Sequence, residues 1–300
     1  VTPGRRDAVF LLTDYGHQDE FAGVTRAVVL RHAPGALVVD LTHGVPPFDV
    51  RAGALTLSRC VAHLGPGVVI AVVDPGVGSG RRAVAVSVRG GPGPSAGGPR
   101  HLVGPDNGLL GWAIDALGGA DGAVALTRAH PTGSTFDGRD LFAPVAARLW
   151  SGATLNDIGL PIDPRTLVRL PPPRLIVSPA LSGTPSGSVA AEVLWVDRFG
   201  NVQLAAGAGE LVEAGLEGVV EISVGATTRR ARVVASFVAL DDDGVGLMVD
   251  ANGHLSLVCR LRPAATVLGV HEGDMVTVSR IQGDAPVPEG PDTTGRRGGR

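Results

Sequence analysis

The 300-residue sequence contains no lysine; its 26 Lys-plus-Arg positions are all arginine. A Walker phosphate loop, a Schiff-base lysine and a pyridoxal-phosphate anchor are therefore excluded. Cysteine is nearly absent as well. Cys60 and Cys259 do not form a CxxC, which argues against a disulfide framework or a thiolate metal cage. The eight histidines are scattered, with no HExxH and no paired ligand spacing, so a metal site finds no support. Charge of one sign is also missing. A net charge of -3 gives no reason to expect nucleic acid or a membrane surface as partner. No apolar run approaches the roughly 18 residues of a membrane span, and VTPGRRDAVFLLTDYG lacks the pattern of a secretory signal. The chain is read as a soluble cytoplasmic protein.

What is present fits a globular protein: 44% hydrophobic and 18% charged residues over a length that suggests two domains. In the first half, apolar strands alternate with helical patterns. AVFLLTD (Ala8 to Asp14), ALVVDLTH (Ala36 to His43) and GVVIAVVD (Gly67 to Asp74) read as buried strands. DEFAGVTRAVVLRHAPG and FDVRAGALTLSRCVAHLG read as the helices between them, with Asp49 as an N-cap. This predicts an α/β domain with a mostly parallel sheet and flanking helices. RAVAVSV (Arg82 to Val88) and His101 to Val103 add shorter strands around the stretch GGPGPSAGGP, read as mobile, and RDLFAPVAARLWSG adds a helix from Arg139. Leu170-Pro171-Pro172-Pro173 then breaks the pattern. Short strands with turn signals follow, which predicts an all-β domain, a small barrel. The boundaries are placed at 1–173 and 174–281, with a disordered tail at 282–300.

Aspartates fall at the carboxyl ends of the predicted parallel strands: Asp14, Asp40 and Asp74. Ligands of open α/β sheets bind at that edge. A single aspartate there is more often a cap or turn residue; three favour a site, with Asp40 the one expected to be structural. The loop VVDPGVGSGRR poses a sharper question, since a turn needs its glycines but not an aspartate at one end and two arginines at the other. It fails as a dinucleotide fingerprint, because GxGxxG would need glycine at Arg81 and a strand follows where a helix should.

Five blocks carry a family resemblance in order: LLTDYGHQDEFAG, VVDPGVGSGRR, GPDNGLLGW, STFDGRDLFAP and VDRFGN. From about Val9 to Ile281 the chain resembles the S-adenosyl-L-methionine hydroxide adenosyltransferases, relatives of the fluorinases and chlorinases. The resemblance implies an α/β domain joined to a β-barrel, a homotrimer with each site at a subunit boundary, and attack of water on the 5′ carbon of S-adenosylmethionine. It implies no metal and no second cofactor. By the same resemblance Asp74 and Arg81, seven positions apart, handle the water, and Phe136 lines its pocket. Arg82 is left as a surface or interface charge. Asp14 would accept from the ribose hydroxyls, and Asp19 would face the methionine ammonium. Asp197 would meet the amino-acid end, Phe199 would stack on adenine and Asn201 would read its edge. Read alone, Phe199 is ordinary core and Asp197 to Asn201 a hairpin turn.

Some positions depart from the family. Asp137 stands where hydrolytic members have histidine and fluorinases tyrosine, and it is taken as a third catalytic residue, against the alternative of a helix cap near Arg139. Asp250-Ala251 replaces an asparagine-serine pair, and Pro263 replaces an asparagine in the adenine loop. The leading expectation is hydrolysis of S-adenosylmethionine to adenosine and methionine. A halogenase on the same scaffold and a non-catalytic nucleoside-binding protein are the alternatives.

Overall fold

Asp14 and Asp74 are neighbours because two parallel strands deliver them to the same edge. Strand β1 (Ala8–Thr13) pairs in parallel with β2 (Leu37–Thr42) on one side and β3 (Gly67–Val72) on the other, with Thr13 opposite Val72. β1 and β3 are buried at every position, as expected of central strands covered on both faces. The computed structural model describes residues 7–90, 97–98, 100–127, 135–180 and 187–281. The tail at 282–300 and residues 91–96 of the glycine- and proline-rich stretch lie outside the described residues. Contacts divide the chain into two units, Val1–Pro171 and Pro172–Arg300.

The first unit holds a seven-stranded sheet. β5 (His101–Pro105) continues the parallel set beside β3, and β4 (Ala83–Val88), β6 (Ala120–Leu126) and β7 (Gly159–Ile162) extend it antiparallel, in the order β2-β1-β3-β5-β4-β6-β7. Alternate residues of the central strands serve opposite faces. Val9 and Leu11, with Val68, Ile70 and Val72, pack in one cluster with Val29 of α1 (Phe21–His32) and Ala143 and Ala146 of α4 (Ala143–Trp150). α2 (Val50–Val61) starts on the predicted cap, where Asp49 Oδ1 accepts from the Ala52 N–H at 2.9 Å. It packs against α3 (Gly111–Ala116), and Gly53 lies so close to Val73 and Leu109 that a β-carbon would overlap both side chains. The helix expected from Arg139 begins as a π turn at Gly138–Phe142 before α4.

The second unit is a closed barrel. β9 (Ser188–Val196), β10 (Val202–Gly207), β11 (Val219–Val224), β12 (Thr227–Val233), β13 (Val245–Val249), β14 (His254–Cys259) and β15 (Met275–Arg280) form a ring, which the β9–β10 pairing closes. β8 (Leu175–Ser178) lies on the edge of β9. Inward positions such as Val189, Ala191 and Val193 on β9 and Val276 and Val278 on β15 fill the interior. The expected α/β-plus-barrel architecture is therefore present. Among the described residues no helix is long and apolar enough to cross a membrane.

Candidate active site

The loop after β3 folds back on itself in two turns. The Val77 N–H donates to the Asp74 carbonyl at 3.2 Å and the Ser79 N–H to the Gly76 carbonyl at 3.0 Å. Gly78 takes φ +79°, a conformation that a side chain disfavours, and Ser79 Oγ accepts from the Arg81 N–H at 3.2 Å. The chain thereby returns the Arg81 guanidinium to the carboxylate it left seven residues earlier. Arg81 Nε donates to Asp74 Oδ1 at 2.9 Å, and Nη2 donates to Asp74 Oδ2 in a fork. The same Nη2 donates to Asp137 Oδ2 at 2.5 Å. All three side chains are nearly buried, at 5% exposure for Asp74, 10% for Arg81 and 2% for Asp137. Burial works against the guanidinium's charge, but its bonds to Asp74 and Asp137 outweigh this and raise its pKa.

Asp137 heads the π turn without any side-chain capping bond, so the cap alternative does not describe it. Its carboxylate turns to Arg81 instead. Arg82 keeps a partly exposed side chain, as its reading as a surface charge allows, and is tied down by its partners: Nε donates to the buried Asp106 at 2.7 Å and Nη1 to Thr166 Oγ1 at 3.1 Å. Asp40 lies within β2, opposite Leu11 and short of the strand end. There it pairs with Arg26 and lies 3.4 Å from His43 Nε2, which agrees with its structural reading.

Asp14, Asp74 and Asp137 line one cavity of about 250 Å³, with Tyr15, Phe21, Pro47, Phe48, Val77, Phe136 and Gly138 among its walls. Three rings pack edge to face or tilted: Phe21 and Phe136 have centroids 5.1 Å apart, and Tyr15 lies 5.6 Å from Phe136 and 5.8 Å from Phe21. Asp14 Oδ2 accepts from the Phe48 N–H at 2.9 Å. Burial raises the Asp14 pKa above the ordinary carboxylate value, the Phe48 bond pulls it back, and the charge on Asp74 adds to the rise. Phe48 itself has φ +68° and is 71% exposed. A bulky residue in that region marks local strain of the kind found at ligand sites. Asp19 stands on the exposed segment before α1 and is not among the residues that line the cavity.

The sequence reading missed Tyr15, Phe48 and Gly138. A β-carbon on Gly138 would collide with the Tyr15 hydroxyl, so the two positions fit only as a pair. The available signal was adjacency: Tyr15 directly follows Asp14, and Gly138 directly follows Asp137.

In the barrel unit, Asp197 shapes a turn. Its Oδ1 accepts from the Phe199 N–H at 2.8 Å and the Asn201 N–H at 2.9 Å, and its Oδ2 from Asn201 Nδ2 at 2.8 Å. The turn holds Phe199 outward, 73% exposed. Phe199 is therefore not core. Gly200, at φ +81°, lies directly against Pro263, and its carbonyl accepts from the Ala265 N–H at 2.9 Å. Phe199, Asn201, Phe237, Arg260, Arg262 and Pro263 consequently share a recess of about 670 Å³. Asp250 is spent on the β13–β14 turn, where Oδ1 accepts from the N–H groups of Asn252 and His254.

Residues 9–159 match the model of the SAM hydroxide adenosyltransferase N-terminal domain, and residues 191–277 match that of the C-terminal domain. The chain belongs to the SAM hydroxide adenosyltransferase family. Both clusters described above lie inside the matched segments. The chain is 44% identical over 271 residues to a protein of Salinispora arenicola named (R)-S-adenosyl-L-methionine hydrolase, covering 89% of this chain and 95% of that relative. It is 37% identical to a protein of the same name from Thermus thermophilus, covering 88% and 96%. A fluorinase from Actinoplanes is more distant, at 26% identity over 91% of this chain and 97% of that one. Among solved structures, an uncharacterized conserved protein from Thermotoga maritima superposes with a TM-score of 0.79 at 30% identity, covering 90% and 99%.

Proposed function

We propose that this SAM hydroxide adenosyltransferase hydrolyses S-adenosyl-L-methionine to adenosine and L-methionine, with water attacking the 5′ carbon. The observation that carries the reading is the carboxylate pair of Asp74 and Asp137 on one buried guanidinium, at the wall of an aromatic-lined cavity. Relatives 37% and 44% identical over nearly their whole length bear the hydrolase name.

The sulfonium is already an activated leaving group, so the protein has mainly to align a nucleophile. Alignment of that kind supplies about 7–11 kcal/mol at its best. Water bound to Asp74 attacks C5′, the C5′–O bond forms and the C5′–S bond breaks with its electron pair going to sulfur. The water's proton passes to the carboxylate. Arg81, charged throughout, fixes Asp74 and Asp137 side by side. Asp14 retains acceptor positions for the two ribose hydroxyls. The rings of Phe21 and Phe136 attract the sulfonium charge, which lowers KM without raising kcat, because that charge is lost as the C5′–S bond breaks.

The cavity of about 250 Å³ falls below the roughly 300–1,000 Å³ of pockets that enclose a drug-sized ligand. By the family resemblance we assign the adenine to Phe199 and Asn201 and the amino-acid end to Asp19 and Asp197. With the family resemblance, this supports a homotrimer whose subunits share each site; light scattering should give three times the chain mass, and a monomer active at the same concentration would contradict it.

Purified protein incubated with S-adenosylmethionine should release adenosine and methionine in equal amounts. Exhaustive chelation should leave the rate unchanged, because the leaving group needs no Lewis acid and no group of metal-binding side chains occurs among the described residues. Loss of activity restored by zinc or magnesium would overturn the mechanism. Product formation that requires chloride would mark a halogenase instead, and tight binding without turnover a binding protein.

A further inference from the structure

Carboxylates orient a water through its protons, since an ionised carboxylate only accepts. Two acceptors leave both lone pairs of the water oxygen free to swing. Attack needs one of them aimed at carbon, so a donor to the other would complete the alignment. Arg81 is poorly placed for that task. Its Nε and Nη2 hydrogens serve Asp74 and Asp137, Nη1 approaches the Arg82 carbonyl at 3.4 Å, and the residue is not among those lining the cavity.

Two side-chain hydroxyls line the cavity, those of Thr135 and Tyr15. Thr135 is exposed at the rim, whereas Tyr15 is partly buried among the rings of Phe21 and Phe136. The Tyr15 oxygen lies against Gly138, the residue next to Asp137. Among the described residues this hydroxyl has no hydrogen-bond partner; the one bond of Tyr15 outside the strand ladder is its backbone N–H to Thr13 Oγ1. Burial first, and then the charges on Asp14, Asp74 and Asp137, raise the phenol pKa well above its ordinary value. The group stays protonated, a donor in a cavity whose charged side chains are acceptors.

We propose that the Tyr15 hydroxyl donates the hydrogen bond that orients the attacking water, making Tyr15 a catalytic residue beside Asp74 and Asp137. The role rests on the hydrolytic reading above. The phenol donates to one lone pair of the water, the second lone pair forms the bond to C5′, and the proton leaves to the carboxylate. Tyr15 is neither acid nor base in this step and ends it unchanged.

Tyr15→Phe removes one oxygen and keeps the ring contacts with Phe21 and Phe136. The variant should lose about 10- to 100-fold in kcat, the worth of one hydrogen bond that holds the nucleophile in line, with KM within about twofold and an unchanged thermal midpoint. An unchanged kcat in the variant, with active wild type, would overturn the role. So would a fall that comes from a higher KM or a lower thermal midpoint, since either assigns Tyr15 to binding or packing. Tyr15 is also the chain's one tyrosine, so isotopic labelling at its oxygen-bearing ring carbon yields a single resonance. That resonance should show no ionisation by about pH 11, a unit above free tyrosine, and should shift when adenosine binds. Wild type that makes no adenosine sinks the hydrolytic reading, whereas a phenol that ionises near its free value removes the donor argued here.

Discussion

Asp74→Asn will lower turnover by about three orders of magnitude, within the range general bases contribute. Asparagine keeps the shape and one acceptor oxygen, and Asp137 still holds Arg81 through Nη2, so the loop has reason to stay in place. What disappears is the acceptor for the water's proton. The rate should be read as kcat on protein shown to be folded by its thermal midpoint, because neutralising one partner of an ion pair this well buried leaves the other charge less compensated and destabilises the fold. A variant with more than a tenth of wild-type kcat would show that the proton goes elsewhere, with Asp137 the first group to examine.

Gly138→Ala should be nearly as damaging for a steric reason. The new methyl group would overlap the Tyr15 hydroxyl and approach Phe136 Cε2 and Tyr15 Cζ at 3.1 Å each. Neither neighbour is the loose end of a flexible chain. Both rings are locked in the Tyr15–Phe21–Phe136 cluster. Overpacking of this kind costs about 1–3 kcal/mol of stability. Displacing Asp137 and Tyr15 by about an ångström should cost about a hundredfold in kcat. Gly76→Ala is the control: its β-carbon would meet Arg81 Cγ and Ser79 Oγ at 3.4 Å, contacts that small shifts relieve. It should remain within about tenfold of wild type. Equal effects at both glycines would mean that the cavity wall at Gly138 is not special.

The central strands, the Asp49 cap and the barrel could be read from sequence because each rests on local pattern: unbroken apolar runs, a capping residue, short strands between turn signals. Asp74 and Arg81 could be paired through the family resemblance, and the glycines between them let the loop fold back on itself. The antiparallel β6 and β7 could not, since β6 (ADGAVAL) carries glycine and aspartate and its place beside β4 depends on a long-range pairing. Asp137 is reached through the family resemblance and not through its local pattern. Its local context offers a helix start, and only the position of Arg81, 56 residues earlier, turns the carboxylate into the cavity. Asp40 is structural, as expected. It resembles Asp14 and Asp74 in the sequence, but its register opposite Leu11 stops it short of the edge, and Arg26 takes its charge. Phe199 gains its exposure from hydrogen bonds to Asp197, which residue type alone does not announce.

The most direct test of water attack at C5′ is the reaction run in water enriched in heavy oxygen. Hydrolysis at C5′ predicts adenosine carrying the label in its 5′ hydroxyl and methionine carrying none, with Asp74→Asn giving the same labelled product about a thousandfold more slowly. Unlabelled adenosine, or label in methionine, would contradict it.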